Sequence, residues 1–426
     1  MKVMMRKELL GRMFRTAAMI MIMSMLAGAC SKNNGPEKPE DNTGQTTGPG
    51  GNGSGDQGGS GNEGGSGDEG GNEGGTSGGD HGGSGDSGDQ GGSGGSGDQG
   101  DQPKPQITAN SWMTAIDDDT KIALLTIPGT HDAATSTCAG PGKCQTLTIS
   151  GQLEHGVRAF DLRPTMDDNS TLGNIYHSIL DTGVSMGNAM EYFDSFLKAH
   201  PGEGIIVIMR YESERQIFGS IAEDNYKTAM KNFLWDSRIY QSRMAAFNKS
   251  MTMKDLRGKI LIISRNDLSP VSTFETAYTQ WSHSNSVGEA LQIYGTGGLG
   301  RIYVQDMYSA EKNGNSSEAD FLAKKKELVC KLLDITVPFR EYEQNNWVIN
   351  YCSGYAGSSF ASDSYAKNAA SANPAALEHI QAHTGKGFTG IVMMDYAGTD
   401  TYEVGGSTFS VSGKSLTEAL IMNNFQ

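Results

Sequence analysis

From residue 106 to residue 426, short uninterrupted apolar runs alternate with longer segments in which apolar residues recur every three or four positions. The runs IALLTI (122–127), RAFDLR (158–163), IIVIMR (205–210), KILIIS (259–264), RIYVQD (301–306), WVINYC (347–352) and GIVMMD (390–395) have the length and content of strands. NAMEYFDSFLKAH (188–200) and EADFLAKKKELVCKLL (318–333) have helical spacing. Short apolar strands separated by helices predict parallel βαβ units, arranged as a barrel or as a doubly wound sheet. The residues that follow each run separate the two. His131 and Asp132 follow the first run, Asp161 and Arg163 close the second, and Arg210 and Glu212 lie at the third. Arg265 follows the fourth, Asp306 ends the fifth, Asn350 and Ser353 lie at the sixth, and Asp395 ends the seventh. In a (β/α) barrel all C-terminal strand ends open on one face, where such residues meet. A doubly wound sheet gathers its ligand groups at one switch point instead. The expectation is therefore an α/β fold in which a (β/α) barrel accounts for the strand-end residues better than a doubly wound sheet. GTGGLG (295–300) precedes a strand rather than following one, the wrong context for a phosphate cradle.

Before residue 106 the periodicity vanishes. Residues 41–100 hold 28 of the chain's 58 glycines, interleaved with Ser, Asp, Asn, Glu and Gln. So few apolar side chains cannot offset the entropy of ordering the backbone. Residues 31–105 are therefore expected to be a disordered tether, with a root-mean-square reach of roughly 45–50 Å. The formal charge of −15 divides into −11 over 33–105 and −9 over 106–426, the remainder being a basic N-terminus. No basic field is present for nucleic acid, and that class is excluded. Composition likewise excludes a collagen, a coiled coil and a polytopic membrane protein.

Residues 1–30 have the layout of an export signal. Lys2, Arg6, Lys7, Arg12 and Arg15 precede the apolar run AAMIMIMSMLAGA, which ends directly before Cys30. LAGAC resembles a bacterial lipobox, with Leu26 one place early. That resemblance implies an exported bacterial lipoprotein, lipidated at Cys30 and tethered at the outer membrane or cell surface. Cys138 and Cys144 bracket the turn-rich AGPGK, and an exported chain is expected to join them in a disulfide. Neither CxxC nor Cys/His zinc spacing occurs.

The strand-end residues carry a definite chemistry. His131 and His177 are imidazoles suited to moving protons near neutral pH. Arg163 offers a planar fork for two phosphate oxygens. Asp132, Asp161 and Asp395 are positioned to orient an imidazole or the guanidinium. Two histidines and an arginine around a phosphodiester suffice for acid–base cleavage without a metal.

TIPGTHDAAT (126–135), QLEHGVRAFDLRP (152–164), NIYHS (174–178) and YVQDMY (303–308) resemble the bacterial phosphatidylinositol-specific phospholipases C, whose X-domain is a distorted TIM barrel. GKILIISR (258–265), INYCSG (349–354) and GIVMMDYAG (390–398) extend the resemblance over residues 110–400. It implies cleavage of phosphatidylinositol to diacylglycerol and inositol 1,2-cyclic phosphate. By motif, His131 stands as general base oriented by Asp395, and His177 as general acid held by Asp132. Arg163 would bind the phosphate, with Asp161 beside it. Arg210, Glu212, Arg265 and Asp306 would line the inositol pocket, with Tyr308 stacked on the ring. Two positions depart from the pattern: Arg210 replaces the usual Lys, and Ser178 follows His177 where the pattern has His-Gly or Gly. Arg163 supplies fixed positive charge where calcium-dependent relatives hold acidic ligands, so no metal and no other cofactor is expected.

Bland readings stand beside these. Asp161 suits a scaffold ion pair with Arg163, Arg265 and Asp306 each suit a structural pairing, and Arg210 and Glu212 suit either a site or a mutual pair. His155, His200, His283, His379 and His383 read as solvated surface residues. The competing classes are a calcium-dependent or glycerophosphodiester-type phosphodiesterase and a non-catalytic surface lipoprotein. The expected partner is phosphatidylinositol or a related inositol lipid at a membrane, met by a monomer.

Overall fold

The computed structural model describes residues 107–426 except 167–170, 213–223, 237, 270–275, 282–283, 286, 288–289, 310–316, 358–360 and 384–388. The signal segment with Cys30, the tether over 31–105, and His283 therefore lie outside the described residues.

The described strands are β1 (Thr126–Thr130), β2 (Ala159–Leu162), β3 (Pro164–Met166), β4 (Leu172–His177), β5 (Leu180–Ser185), β6 (Ile205–Met209), β7 (Ile260–Ser264), β8 (Ala277–Tyr278), β9 (Ser284–Asn285), β10 (Ala290–Ile293), β11 (Gly300–Met307), β12 (Asn346–Tyr351), β13 (Gly390–Met394), β14 (Thr401–Val404) and β15 (Ser407–Ser410). Nine of them pair in the order β10–β11–β12–β13–β1–β2–β6–β7–β8. Every neighbouring pair except β10–β11 is parallel. Reciprocal backbone bonds of 2.9 Å between Tyr278 and Tyr294 join the last strand to the residue after the first, so the ring nearly closes. The fold is a distorted TIM-like barrel.

Strands buried on both faces read as continuous apolar runs, because each face meets a different core. Ile127, Ala159, Ile206, Ile208, Leu261, Ile263, Ile302, Val304, Ile349, Ile391 and Met393 share one cluster, which fills the barrel. Their neighbours, including Phe160, Val207, Ile262, Val392 and Met394, pack instead with helix residues such as Met190, Phe193, Ala376 and Leu420. Side chains on a strand alternate between faces, so one parity of each run belongs to the interior and the other to the helical layer. Each fully buried Ile or Val contributes about 1.5–3 kcal/mol by leaving water.

The helices form where the spacing predicts and are bounded by caps. Met186–Ala199 starts at Ser185, whose side chain accepts from Asn188 N while Asn188 reaches back to the Ser185 amide. Glu318–Thr336 starts at Ser317, which accepts from Asp320 N, and runs three residues past the expected end.

Two differences from the sequence expectation bear on the site. IALLTI is not a strand at its start: Ile122–Leu124 form a 3-10 turn and β1 begins at Thr126. Ile122, Ala123 and Leu125 pack in the interior cluster without joining the ladder, and periodicity alone does not distinguish a buried turn from a buried strand. The second difference is an antiparallel sheet, β3–β4–β5, inserted after β2. Its polar sequence gave no strand signal, yet it carries His177.

Candidate active site

β1 ends at Thr130, and the ladder to β13 continues one step further, His131 N donating to Met394 O at 3.1 Å. His131 keeps the interior parity of Ile127 and Gly129. Gly129 lets β1 lie close to β2, since a Cβ there would stand 3.1 Å from Ala159 Cβ. Asp395, directly after the neighbouring strand β13 and of the same parity, places Oδ1 2.9 Å from His131 Nδ1. Gln145 fixes this corner by donating to the carbonyls of both His131 and Met394 at 2.9 Å.

Asp132 binds the cluster together. Its Oδ2 stands 3.1 Å from His131 Nε2 and 3.4 Å from His177 Nε2, and its Oδ1 stands 3.1 Å from Arg163 Nε. The contact with His131 lacks hydrogen-bond alignment. Arg163 also reaches Asp161 Oδ2 with Nη2 at 3.0 Å, so its fork spans two carboxylates. His177 ends β4; its Nδ1 donates to Gly142 O at 2.9 Å, and its Nε2 lies 3.0 Å from the Tyr365 hydroxyl. Tyr365 in turn meets the Tyr308 hydroxyl at 2.6 Å. Asp132, Ser178 and Tyr396, each directly after a central residue, have φ of 43°, 56° and 58°, in the left-handed region that non-glycine residues seldom adopt.

The remaining strand-end residues form the rim. Arg265 Nη2 lies 3.4 Å from Asp306 Oδ2 and stacks on Trp281 at 4.1 Å, while Trp281 Nε1 donates to Asp306 at 2.9 Å. Arg210 and Glu212 approach only to 3.9 Å. Asp161, Arg265 and Asp306 therefore sit in ion pairs and face the interior at the same time. Tyr308 holds its ring centroid 5.9 Å from that of His131.

Electrostatics divides the cluster into roles. Burial alone would lower the His131 pKa, but the carboxylates of Asp132 and Asp395 outweigh it and hold the group above 6.5. Burial favours the neutral form of Asp132, yet Arg163, His131 and His177 keep it well below the usual carboxylate range. Asp395 has its pKa raised by burial against the pull of His131. Burial opposes the Arg163 charge, and Asp132 and Asp161 more than restore it. The fixed charges are thus Arg163 and Asp132, and the mobile proton belongs to the His131–Asp395 pair.

The expected disulfide is absent: Cys138 and Cys144 are both buried thiols. Cys144 N bonds to Thr135 Oγ1 and its carbonyl takes Tyr396 N, which brings Sγ within 4.8 Å of the nearest ligand atoms of His131 and Asp132. His379 and His383 are half-buried rather than solvated, and His379 pairs with Asp334. Sequence reasoning missed Gln145, Trp281, Lys325 and Tyr365. Lys325 lies on an amphipathic helix that reads as exposed at that position, but it is fully buried and donates to Gln305 and Met307 O. Burial lowers its pKa to about 8.

No known family profile matches the chain. Over 170 residues it is 36% identical to a 1-phosphatidylinositol phosphodiesterase of Listeria monocytogenes, covering 38% of this chain and 51% of that protein. The matched segment is thus about half the length of that relative. Over 299 residues it is 25% identical to the protein of the same name from Staphylococcus aureus, covering 68% of this chain and 88% of the other. The chain is thus similar in sequence to bacterial phosphatidylinositol phosphodiesterases over part of its length. The fold agrees. The S. aureus phosphatidylinositol-specific phospholipase C superposes with a TM-score of 0.57 at 23% identity over 74% of this chain and 97% of that one. The Listeria phosphatidylinositol-specific phospholipase C gives 0.51 at 23% identity over 74% and 99%.

Proposed function

We propose that the protein cleaves phosphatidylinositol to diacylglycerol and inositol 1,2-cyclic phosphate by acid–base catalysis that needs no metal. The observation that carries this reading is the commitment of His131 Nδ1 to Asp395, which leaves Nε2 to meet substrate beside Arg163 and His177. His131 Nε2 takes the proton of the inositol 2-hydroxyl as its oxygen attacks phosphorus. The bond from phosphorus to the glycerol oxygen breaks, and His177 Nε2 returns a proton to that oxygen. Arg163, held between Asp132 and Asp161, faces the phosphoryl oxygens as charge grows on them. Arg210, Glu212, Arg265, Asp306 and Tyr308 hold the inositol ring.

The purified protein incubated with phosphatidylinositol in EDTA is expected to release inositol 1,2-cyclic phosphate. Product that appears only after calcium is added replaces this reading with the calcium-dependent one. No product under either condition favours a non-catalytic surface protein. Because His131 must be unprotonated to act, kcat/KM is expected to rise with pH through a midpoint above 6.5, the direction set by Asp132 and Asp395. A pH–rate profile checks it. Tyr365→Phe removes the hydroxyl from His177 Nε2 and is expected to lower kcat roughly tenfold, the worth of one hydrogen bond of about 1.5 kcal/mol. Steady-state kinetics that show a change in KM alone would place Tyr365 in binding instead.

Export and lipidation at Cys30 belong to the same proposal, as does a monomer at a membrane surface. A domain of net charge −9 gains little attraction to anionic lipid, which makes a covalent anchor useful for holding enzyme near substrate. Free phosphatidylinositol, a glycosylphosphatidylinositol anchor and a bacterial inositol lipid share the headgroup, and a panel of the three separates them.

A further inference from the structure

We propose that Asp334, His379 and His383 form a binding site for a divalent transition-metal ion, Zn²⁺ by its ligand chemistry, that joins two barrel helices at the end of the fold remote from His131. Helix Glu318–Thr336 connects β11 to β12, and helix Ser364–Ala382 connects β12 to β13. Each runs from the C-terminal end of one parallel strand back to the N-terminal end of the next. Their C-termini therefore lie together at the far end of the barrel, opposite the strand ends that carry the catalytic cluster. Asp334 lies in the last turn of the first helix, His379 in the last turn of the second, and His383 caps it.

The donor set is already assembled. His379 and His383 are four apart, so their imidazoles share one helix face; the rings stack with centroids 4.2 Å apart at 22°. His383 Nδ1 donates to His379 O at 2.8 Å, which fixes the tautomer and leaves Nε2 with its lone pair for an ion. His379 Nε2 meets Asp334 Oδ1 at 2.7 Å across the two helices. A proton bridges that pair, and a metal ion would take the proton's place. One ligand atom from each of the three residues lies within 4.8 Å of the others. Zinc binds imidazole nitrogen and carboxylate oxygen at about 2.0–2.2 Å, so small side-chain rotations close the set around it.

The surroundings favour a cation. Two helix C-termini converge, each carrying partial negative charge. A small cleft lined by Leu333, Val337, Ile380 and Thr389 lies beside the histidines. Two imidazoles and one carboxylate suit zinc better than a hard ion such as calcium, which takes all-oxygen shells. The other cluster of potential ligands among the described residues, His131, Asp132 and Cys144, is opposed by Arg163 on Asp132 and by a thiol whose pKa burial pushes up.

The test is a calorimetric titration of the full chain with ZnCl₂, with melting curves recorded with and without the ion. One saturable equivalent and a rise in Tm are expected for the parent. H379A/H383A is expected to weaken binding at least about tenfold and to lose the Tm rise, and D334N to weaken it less. H155A/H200A, which removes two histidines elsewhere, is expected to bind as the parent does. Turnover without zinc should be the same in all of them, because none touches the catalytic cluster; this also verifies folding. Binding undiminished in H379A/H383A, or no saturable binding by the parent, overturns the proposal.

Discussion

His131→Ala is expected to lower turnover on phosphatidylinositol by about 10³–10⁴-fold, the upper part of the range for a positioned general base. The size follows from how completely this imidazole is committed. Its Nδ1 is bound to Asp395, and its Nε2 stands 3.1 Å from Asp132. With alanine in place, no other described group stands between those carboxylates to accept the hydroxyl proton. KM is expected to change little, because the rim residues proposed to hold the headgroup and Arg163 are untouched. Stability should show its own pH signature. A group whose pKa is raised on folding stabilises most below its unfolded value, and that contribution fades as pH rises through the folded value. The Tm difference between parent and variant from this group is therefore expected to be larger near pH 6 than at a pH well above 6.5. Activity within tenfold of the parent would remove His131 from the mechanism.

Arg163→Lys is expected to cost about 10²–10³-fold in kcat, the typical effect of deleting one donor aimed at a developing oxyanion. Charge is conserved in this substitution, so the loss isolates geometry. Arg163 uses Nε for Asp132 and Nη2 for Asp161, two carboxylates on different parts of the chain. An ammonium is a point donor and cannot hold both in one plane while facing a phosphate. One buried carboxylate loses its partner, which adds a destabilisation of about 1–3 kcal/mol. Kinetics and a denaturant melt on the same preparation separate the two effects. A variant with lowered stability but unchanged kcat would make Arg163 a scaffold residue.

The barrel was legible because most of its parallel strands lie in continuous apolar runs, β1 being the exception, and each run is followed by a polar residue. Strand parity makes the reading sharper than the pattern alone. Ile127 and Gly129 lead to His131, Ala159 to Asp161 and Arg163, and Ile206 and Ile208 to Arg210. Leu261 and Ile263 lead to Arg265, Ile302 and Val304 to Asp306, and Ile391 and Met393 to Asp395. In every case the reactive residue continues the series that fills the barrel interior. His177 breaks the rule, since it belongs to an inserted antiparallel sheet with polar strands, and only the motif resemblance singled it out. Tyr365 and Trp281 were hidden for a different reason. They reach the site from a helix start and from a loop, and long-range contacts of that kind leave no local periodicity. The cysteines misled because a turn-rich spacer suggests proximity without fixing where either side chain points.

The left-handed residues after His131, His177 and Asp395 have a consequence for how the protein tolerates change. On a strand, adjacent side chains face opposite sides, so His131 and Asp132 should be separated by the sheet itself. A positive φ at Asp132 turns the chain at that step, and two consecutive residues come to serve one cavity. Local sequence at these corners is thereby bound to the chemistry through the backbone turn, and at Asp132 through the carboxylate as well. A β-branched residue at 132, 178 or 396 would resist that turn and swing its neighbour away from the cluster. Tolerance to substitution is therefore expected to be low at three hinges of a single residue each, in addition to the packed strands.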